Sequence, residues 1–230
     1  MERLAEAFGI ALELIATGDP VVMEITLRTL AVSAAATIFS MLLFVPLGGL
    51  IHFASFPGKR LLTGVIHALY SMPTVFAGLI VFLLLSRMGP LGFLGLLFST
   101  RAIVIAEVVL IAPVMLGLVM SALGGIPSEV EDTVRALGAG RIQTGLVVIR
   151  EARMAIVSAL LMSFGRAISE VGAAMMVGGN IAGRTRTLTT AISLGIGKGE
   201  TAESIALGLI LITLALIVSF AVHLLGTRRA

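Results

Sequence analysis

TLAVSAAATIFSMLLFVPLGGLIHFASFPG, Thr29 to Gly58, runs for thirty residues without one Asp, Glu, Lys or Arg. A helix needs about 20 apolar residues to cross the hydrocarbon core of a bilayer, so this stretch is long enough to span one. Two further charge-free runs follow, Leu61 to Ser86 and Ser204 to Thr227. Two more qualify once buried charges are accepted: Ala102 to Ser128 contains Glu107, and Met154 to Asn180 contains Arg166 and Glu170. Nothing alternates polar with apolar over about ten residues, as the strands of an outer-membrane barrel would. The pattern predicts an all-α integral membrane protein with five transmembrane helices. They fall at about 25–51, 62–86, 101–123, 154–179 and 203–225, within a membrane domain covering residues 20–230.

Composition agrees. Of 230 residues, 58% are apolar and 13% charged, with mean hydropathy +1.11, whereas soluble domains carry about 25% charged residues. Most of the surface must therefore face the lipid bilayer, and no nucleic-acid partner is expected. Residues 1–19 read as an amphipathic helix lying in the interface: Leu4, Phe8, Leu12 and Ile15 share one face, and Gly18-Asp19-Pro20 ends it. Cysteine is absent, which excludes disulfides and thiolate metal sites, and His52, His67 and His223 stand alone as packing or helix-end residues. If the spans alternate, eight basic residues (Lys59, Arg60, Arg135, Arg141, Arg150, Arg153, Arg228 and Arg229) share one side, against seven on the other. The positive-inside rule then leans toward an external amino terminus and a cytoplasmic Arg228-Arg229 tail.

Where charge was kept is informative. An ionised side chain at the centre of a spanning helix costs about 2.5 to 3.5 kcal/mol on insertion scales. Glu107, Arg166 and Glu170 should therefore form an intramembrane polar network facing the bundle, a partner or a water-filled path. Arg166 and Glu170 are four apart, which on a continuous helix puts them one turn apart on the same face, ready to pair. That network reads either as a clasp between helices or as part of a transport path. Beyond the fourth span, Asn180, Arg184, Arg186, Thr187, Thr189 and Thr190 concentrate donors suited to a tetrahedral oxyanion, and docking of a soluble partner would use similar residues.

The largest hydrophilic stretch, PSEVEDTVRALGAGRIQTGLVVIREARM from Pro127 to Met154, reads as two short helices. Pro127 and Ser128 open the first, acidic residues fill its first turn, Gly138 and Gly140 end it, and a second starts from Ile142. Val130, Val134 and Leu137 give the first helix an apolar face that fits a partner's groove or its own bundle. No nucleophile elbow, zinc-binding helix or phosphate loop occurs. Gly195-Ile196-Gly197-Lys198-Gly199 lacks the spacing of a Walker motif and reads as a turn. Uphill transport would need energy from another subunit or from an ion gradient.

The segment from Glu131 through Gly138-Ala139 to Ile149 resembles the cytoplasmic loop by which permease subunits of binding-protein-dependent ABC importers engage their ATPase. The family pattern is Glu-Ala-Ala, three residues, then Gly; here Asp132-Thr133-Val134 is followed by Arg135-Ala136-Leu137 and Gly138. Ile149 matches a later apolar position, while Arg150 and Met154 stand where proline is common. SFGRAISEVGAAMMVGGNIAGRTRTLTTAI, Ser163 to Ile192, is similar to permeases of the tungstate, molybdate and sulfate group, and most like the tungstate type. Resemblance runs from about Gly18 to the end, including Gly89-Pro90-Leu91-Gly92-Phe93-Leu94-Gly95.

The resemblance implies an importer permease of the type I fold, working as a homodimer in the cell membrane with two ATPase subunits beneath and an extracytoplasmic solute-binding protein above. It implies no cofactor in this chain and no ATPase site of its own, ATP and Mg being held by the partner. ATPase coupling would rest on the loop 127–153, through Glu131, Asp132, Val134, Leu137, Gly138, Ala139 and Arg141. Two other readings of the residues stand beside it. One is a gradient-driven transporter or channel relaying ions through Glu107, Arg166 and Glu170. The other is a membrane anchor that recruits a soluble partner through the loop.

Overall fold

A computed structural model describes residues 2–227, and side-chain surroundings for residues 5–224. Leu4 of the amphipathic face, its neighbours Glu2 and Arg3, and the Arg228-Arg229 tail thus lie wholly or in their side chains outside the described residues. Helix α1 (Glu2–Thr17) ends at Gly18, in the left-handed region at φ 65°. The long α2 (Pro20–Phe53) starts at once, with Pro20 in its first turn and Asp19 Oδ1 accepting from the Val21 and Val22 N–H groups at 2.9 and 3.0 Å. Helix α1 packs on the last helix of the chain with Ala11 fully buried, while Phe8 and Leu12 stay exposed.

Among the described residues, three helices are each long and apolar enough to cross a membrane: α2, α5 (Thr100–Gly124) and α11 (Thr201–Thr227). The other two apolar runs, where spans were expected over about 62–86 and 154–179, are broken by bends. Helix α3 (Lys59–Ala68) passes through a 3-10 turn at Leu69–Ser71 and bends by 102° into α4 (Thr74–Leu85). Met72-Pro73 lies at the bend, and a proline keeps the preceding residue extended. Helix α8 (Arg153–Ile168) bends by 61° into the short α9 (Gly172–Gly178). Counting each bent pair as one span gives up to five.

Between α5 and α8 lie α6 (Ser128–Ala136) and α7 (Arg141–Glu151), close to the expected boundaries. Helix α10 (Leu188–Lys198) precedes α11 and corrects one expectation: Gly195 to Lys198 are helical, and only Gly199, at φ 81°, terminates the helix.

Helix α2 packs most extensively on α5, and three apolar clusters join the rest. Val32, Val81, Ile103 and Val177 join α2, α4, α5 and α9. Met115, Val119, Val148 and Ile156 join α5, α7 and α8, while Val22, Ile25, Leu188 and Leu207 join α2, α10 and α11. Small residues allow close approach: a Cβ at Gly78 of α4 would stand 2.7 Å from Ala173 Cα of α9. Gly78→Leu is expected to push these helices apart and destabilise the bundle by about 1 to 3 kcal/mol. The check is thermal unfolding in detergent, with Gly208→Leu, where nothing lies within 4 Å of an added Cβ, behaving like the parent chain.

Candidate functional site

Two regions carry the polar chemistry, and they occupy opposite ends of the bundle. The first is the α6–α7 elbow. Glu129 and Glu131 sit in the first turn of α6, and Glu131 pairs with Arg135 at 3.0 Å. The helix then closes in a Schellman arrangement, with Gly138 N–H donating to Arg135 C=O at 2.9 Å and Ala139 N–H to Val134 C=O at 3.2 Å. Gly138 adopts φ 89°, a conformation that disfavours any side chain. Gly140 N–H donates to Gln143 Oε1 at 2.8 Å and so starts α7, with Arg141 its first residue.

This geometry turns apolar side chains outward. Leu137 is 83% exposed and Ile142 81%; Leu146 is exposed as well, while Val134 and Ala139 are half-buried and Asp132 and Arg141 face solvent. Between α7 and the end of α2 lies a trough of about 720 Å³ lined by Pro46, Leu50, Phe53, Ile142, Leu146 and Ile149. Leu137, Ile142 and Leu146 thus put apolar surface in the open on helices outside the apolar spans. The contribution of Pro46, Leu50 and Phe53 was invisible in sequence, because they end a run whose charge-free length already explained them as lipid-facing.

The second region surrounds the α8–α9 break. The helix stops at Ile168, so Arg166 and Glu170 do not share a continuous helical face and the expected pair is not made. Neither of the two ion pairs among the described residues includes Glu107, Arg166 or Glu170. Glu170, 5% exposed, instead uses Oε1 to accept the Ala173 N–H at 2.7 Å, capping α9. Glu107 of α5, 2% exposed, lies beside Ser33 of α2 and within electrostatic reach of Glu170, with its Oε2 unpartnered. The half-buried Arg166 leaves Nε without a hydrogen bond. The three charges therefore sit inside the bundle, but as separate groups.

The 180–190 segment also differs from an open basic mouth. Arg184 is exposed, yet Thr187, Thr189 and Thr190 are buried and committed to internal bonds. Thr187 N–H donates to Thr190 Oγ1 at 2.9 Å at the start of α10, and Thr189 Oγ1 donates to Glu170 C=O in the helix break. Asn180, at φ 50°, donates through Nδ2 to Thr190 C=O at 3.0 Å. Arg186 offers its carbonyl to Arg28 Nη1 at 3.2 Å, and its own Nε is buried without a partner.

One tie reaches across 159 positions: Leu188 N–H donates to Thr29 Oγ1 at 2.8 Å. Thr29 belongs to a stripe of α2 in which Val22, Ile25, Thr29, Val32, Ser33, Ala36 and Ser40 are buried. That spacing of small and polar residues was the available signal for the packed face of α2. Thr29→Val keeps the volume but strands a buried N–H, which costs about 1 to 3 kcal/mol. It is expected to lower the melting temperature of the purified protein, whereas Thr213→Val on the exposed face of α11 should leave it unchanged.

Over residues 44–230 the chain matches the family described as binding-protein-dependent transport system inner membrane component. It is 42% identical over 223 residues to the tungstate uptake system permease protein TupB of Peptoclostridium acidaminophilum, covering 97% of this chain and 96% of that protein. A probable anion ABC transporter permease protein of Haloferax volcanii is also 42% identical, over 90% of this chain and 89% of that protein. Among solved structures, a chain of the MetNI methionine ABC transporter in an inward-facing conformation aligns with a TM-score of 0.68 at 20% identity, covering 90% of this chain and 95% of that one. The last likeness is one of fold alone.

Proposed function

The chain belongs to the family of binding-protein-dependent transport system inner membrane components, and from that membership we propose that it is the permease of an ATP-driven importer for a tetrahedral oxyanion, tungstate first, with molybdate and sulfate as the alternatives. The observation that carries the substrate class is the 42% identity to a tungstate uptake permease across nearly the whole of both chains. Five spans, with the bent pairs α3–α4 and α8–α9 each crossing once, enclose little more than half a pathway. Two copies therefore meet about a two-fold axis, with an external amino terminus and a cytoplasmic carboxyl terminus.

The elbow is the ATPase-coupling surface. Leu137, Ile142 and Leu146 enter the partner's groove, the Schellman turn at Gly138 holds the angle between α6 and α7, and Glu131, Asp132 and Arg141 orient the contact. Closure of two ATPases pulls on 127–153, rocks the bundles and exposes the pathway alternately to the external binding protein and to the cytoplasm. Glu107, Arg166 and Glu170 serve as polar groups of the bundle. A gradient-driven relay is not favoured, since the family is one of binding-protein-dependent transport.

The test is reconstitution of the permease with its ATPase and binding protein in vesicles, measuring hydrolysis stimulated by tungstate, molybdate and sulfate in parallel. Stimulation by tungstate well above that by sulfate is expected, and uptake by the permease alone on an ion gradient would refute the assignment. Leu137→Asp or Gly138→Asp should abolish stimulated hydrolysis and uptake while the protein still inserts. Wild-type stimulation in either variant would remove the elbow from the coupling role.

A further inference from the structure

Helices α2 and α5 begin at the same end of the bundle and run side by side, leaving between them a trough of about 690 Å³. Its floor and walls are apolar, with Phe39, Leu43, Val104 and Val108 among them, and Phe39 and Leu43 are more than half exposed. Its two charged residues, Arg28 and Arg101, lie together at the end where the helices start. From Arg28 to Leu43 the trough follows fifteen residues of helix, about 22 Å at 1.5 Å per residue. That exceeds half of a hydrocarbon core about 30 Å thick, the depth of one leaflet.

The charges at that end are uneven. Arg28 is held in place, its Nη2 on Glu24 Oε1 and its Nη1 on the Arg186 carbonyl. Arg101 is exposed and makes no ion pair among the described residues. Two guanidiniums and one carboxylate leave one positive charge in excess at the polar end of a lipid-deep apolar channel. Guanidinium groups bind phosphate oxygens in bidentate fashion, so an anionic headgroup at this end of the trough would find a matching partner.

We propose that the α2–α5 trough binds one anionic phospholipid, its acyl chain along Phe39, Leu43, Val104 and Val108 and its phosphate between Arg101 and Arg28. The apolar length fits a lipid and gives nothing to a free inorganic oxyanion. A second copy docking through the same face would set arginine against arginine, with Glu24 already committed to Arg28.

The experiment uses the purified full chain in phosphatidylcholine nanodiscs doped with spin-labelled phosphatidylglycerol or spin-labelled phosphatidylcholine, reading the immobilised fraction by electron paramagnetic resonance. A preference for phosphatidylglycerol is expected, and Arg101→Gln should reduce it about fivefold, the worth of one arginine near an anionic headgroup. Arg101→Lys should retain most of it, and Arg87→Gln, an exposed arginine outside the trough, all of it. Equal immobilisation of both lipids, or an unchanged preference in Arg101→Gln, would overturn the proposal. So would displacement of the labelled lipid by millimolar tungstate, which would assign the arginines to a free oxyanion. Because the chain has no cysteine, Phe39→Cys can be oxidised in native membranes, and a disulfide-linked dimer would show that a second copy fills the trough.

Discussion

A broken helix inside a membrane leaves peptide groups that water cannot reach, and this protein is organised around satisfying them. The α8–α9 break is tied by the Glu170 carboxylate, which caps α9, and by Thr189, which donates to the Glu170 carbonyl. The start of α10, which carries Thr189, is in turn fastened to α2 through Leu188 N–H and Thr29 Oγ1. Thr29 completes the chain by donating to the Ile25 carbonyl at 2.8 Å within its own helix. Three helices and a hinge thus share one run of hydrogen bonds, and the threonines that compose it are unavailable to a solute in this conformation.

The same requirement separates the two ends of the molecule. Around the break, polar groups are spent on the fold, and Glu107 and Arg166 remain as incompletely bonded groups within the packed helices. At the elbow the backbone is satisfied locally, by the Schellman turn and the Gln143 bond, so side chains are released for other work. The exposure of Leu137 and Ile142 follows directly. The bundle thus consumes its own polar groups, and the elbow displays apolar ones.

Much of this was legible without coordinates. Charge-free length identified α2 and α11, the proline-and-acid start and the glycine pair bounded α6 and α7, and the loop pattern carried the family resemblance. The trough beside α7, the burial of Thr187, Thr189 and Thr190, and the placing of Arg28 and Arg101 on one trough were not, because each joins residues distant in sequence. The Arg166–Glu170 pair failed for a related reason. A spacing of four means proximity only on a continuous helix, and Ser169 to Val171 interrupt this one.

The sequence by itself determined the solvent, the helical class, the elbow and the family, since hydropathy, capping residues and turn glycines act over one or a few turns of chain. Tertiary structure decided which helices break, which hydroxyls are consumed in holding them, and which arginines remain exposed. Those outcomes depend on what packs against each residue in a medium with no water to fill an unmade bond, and local pattern carries no record of that neighbour.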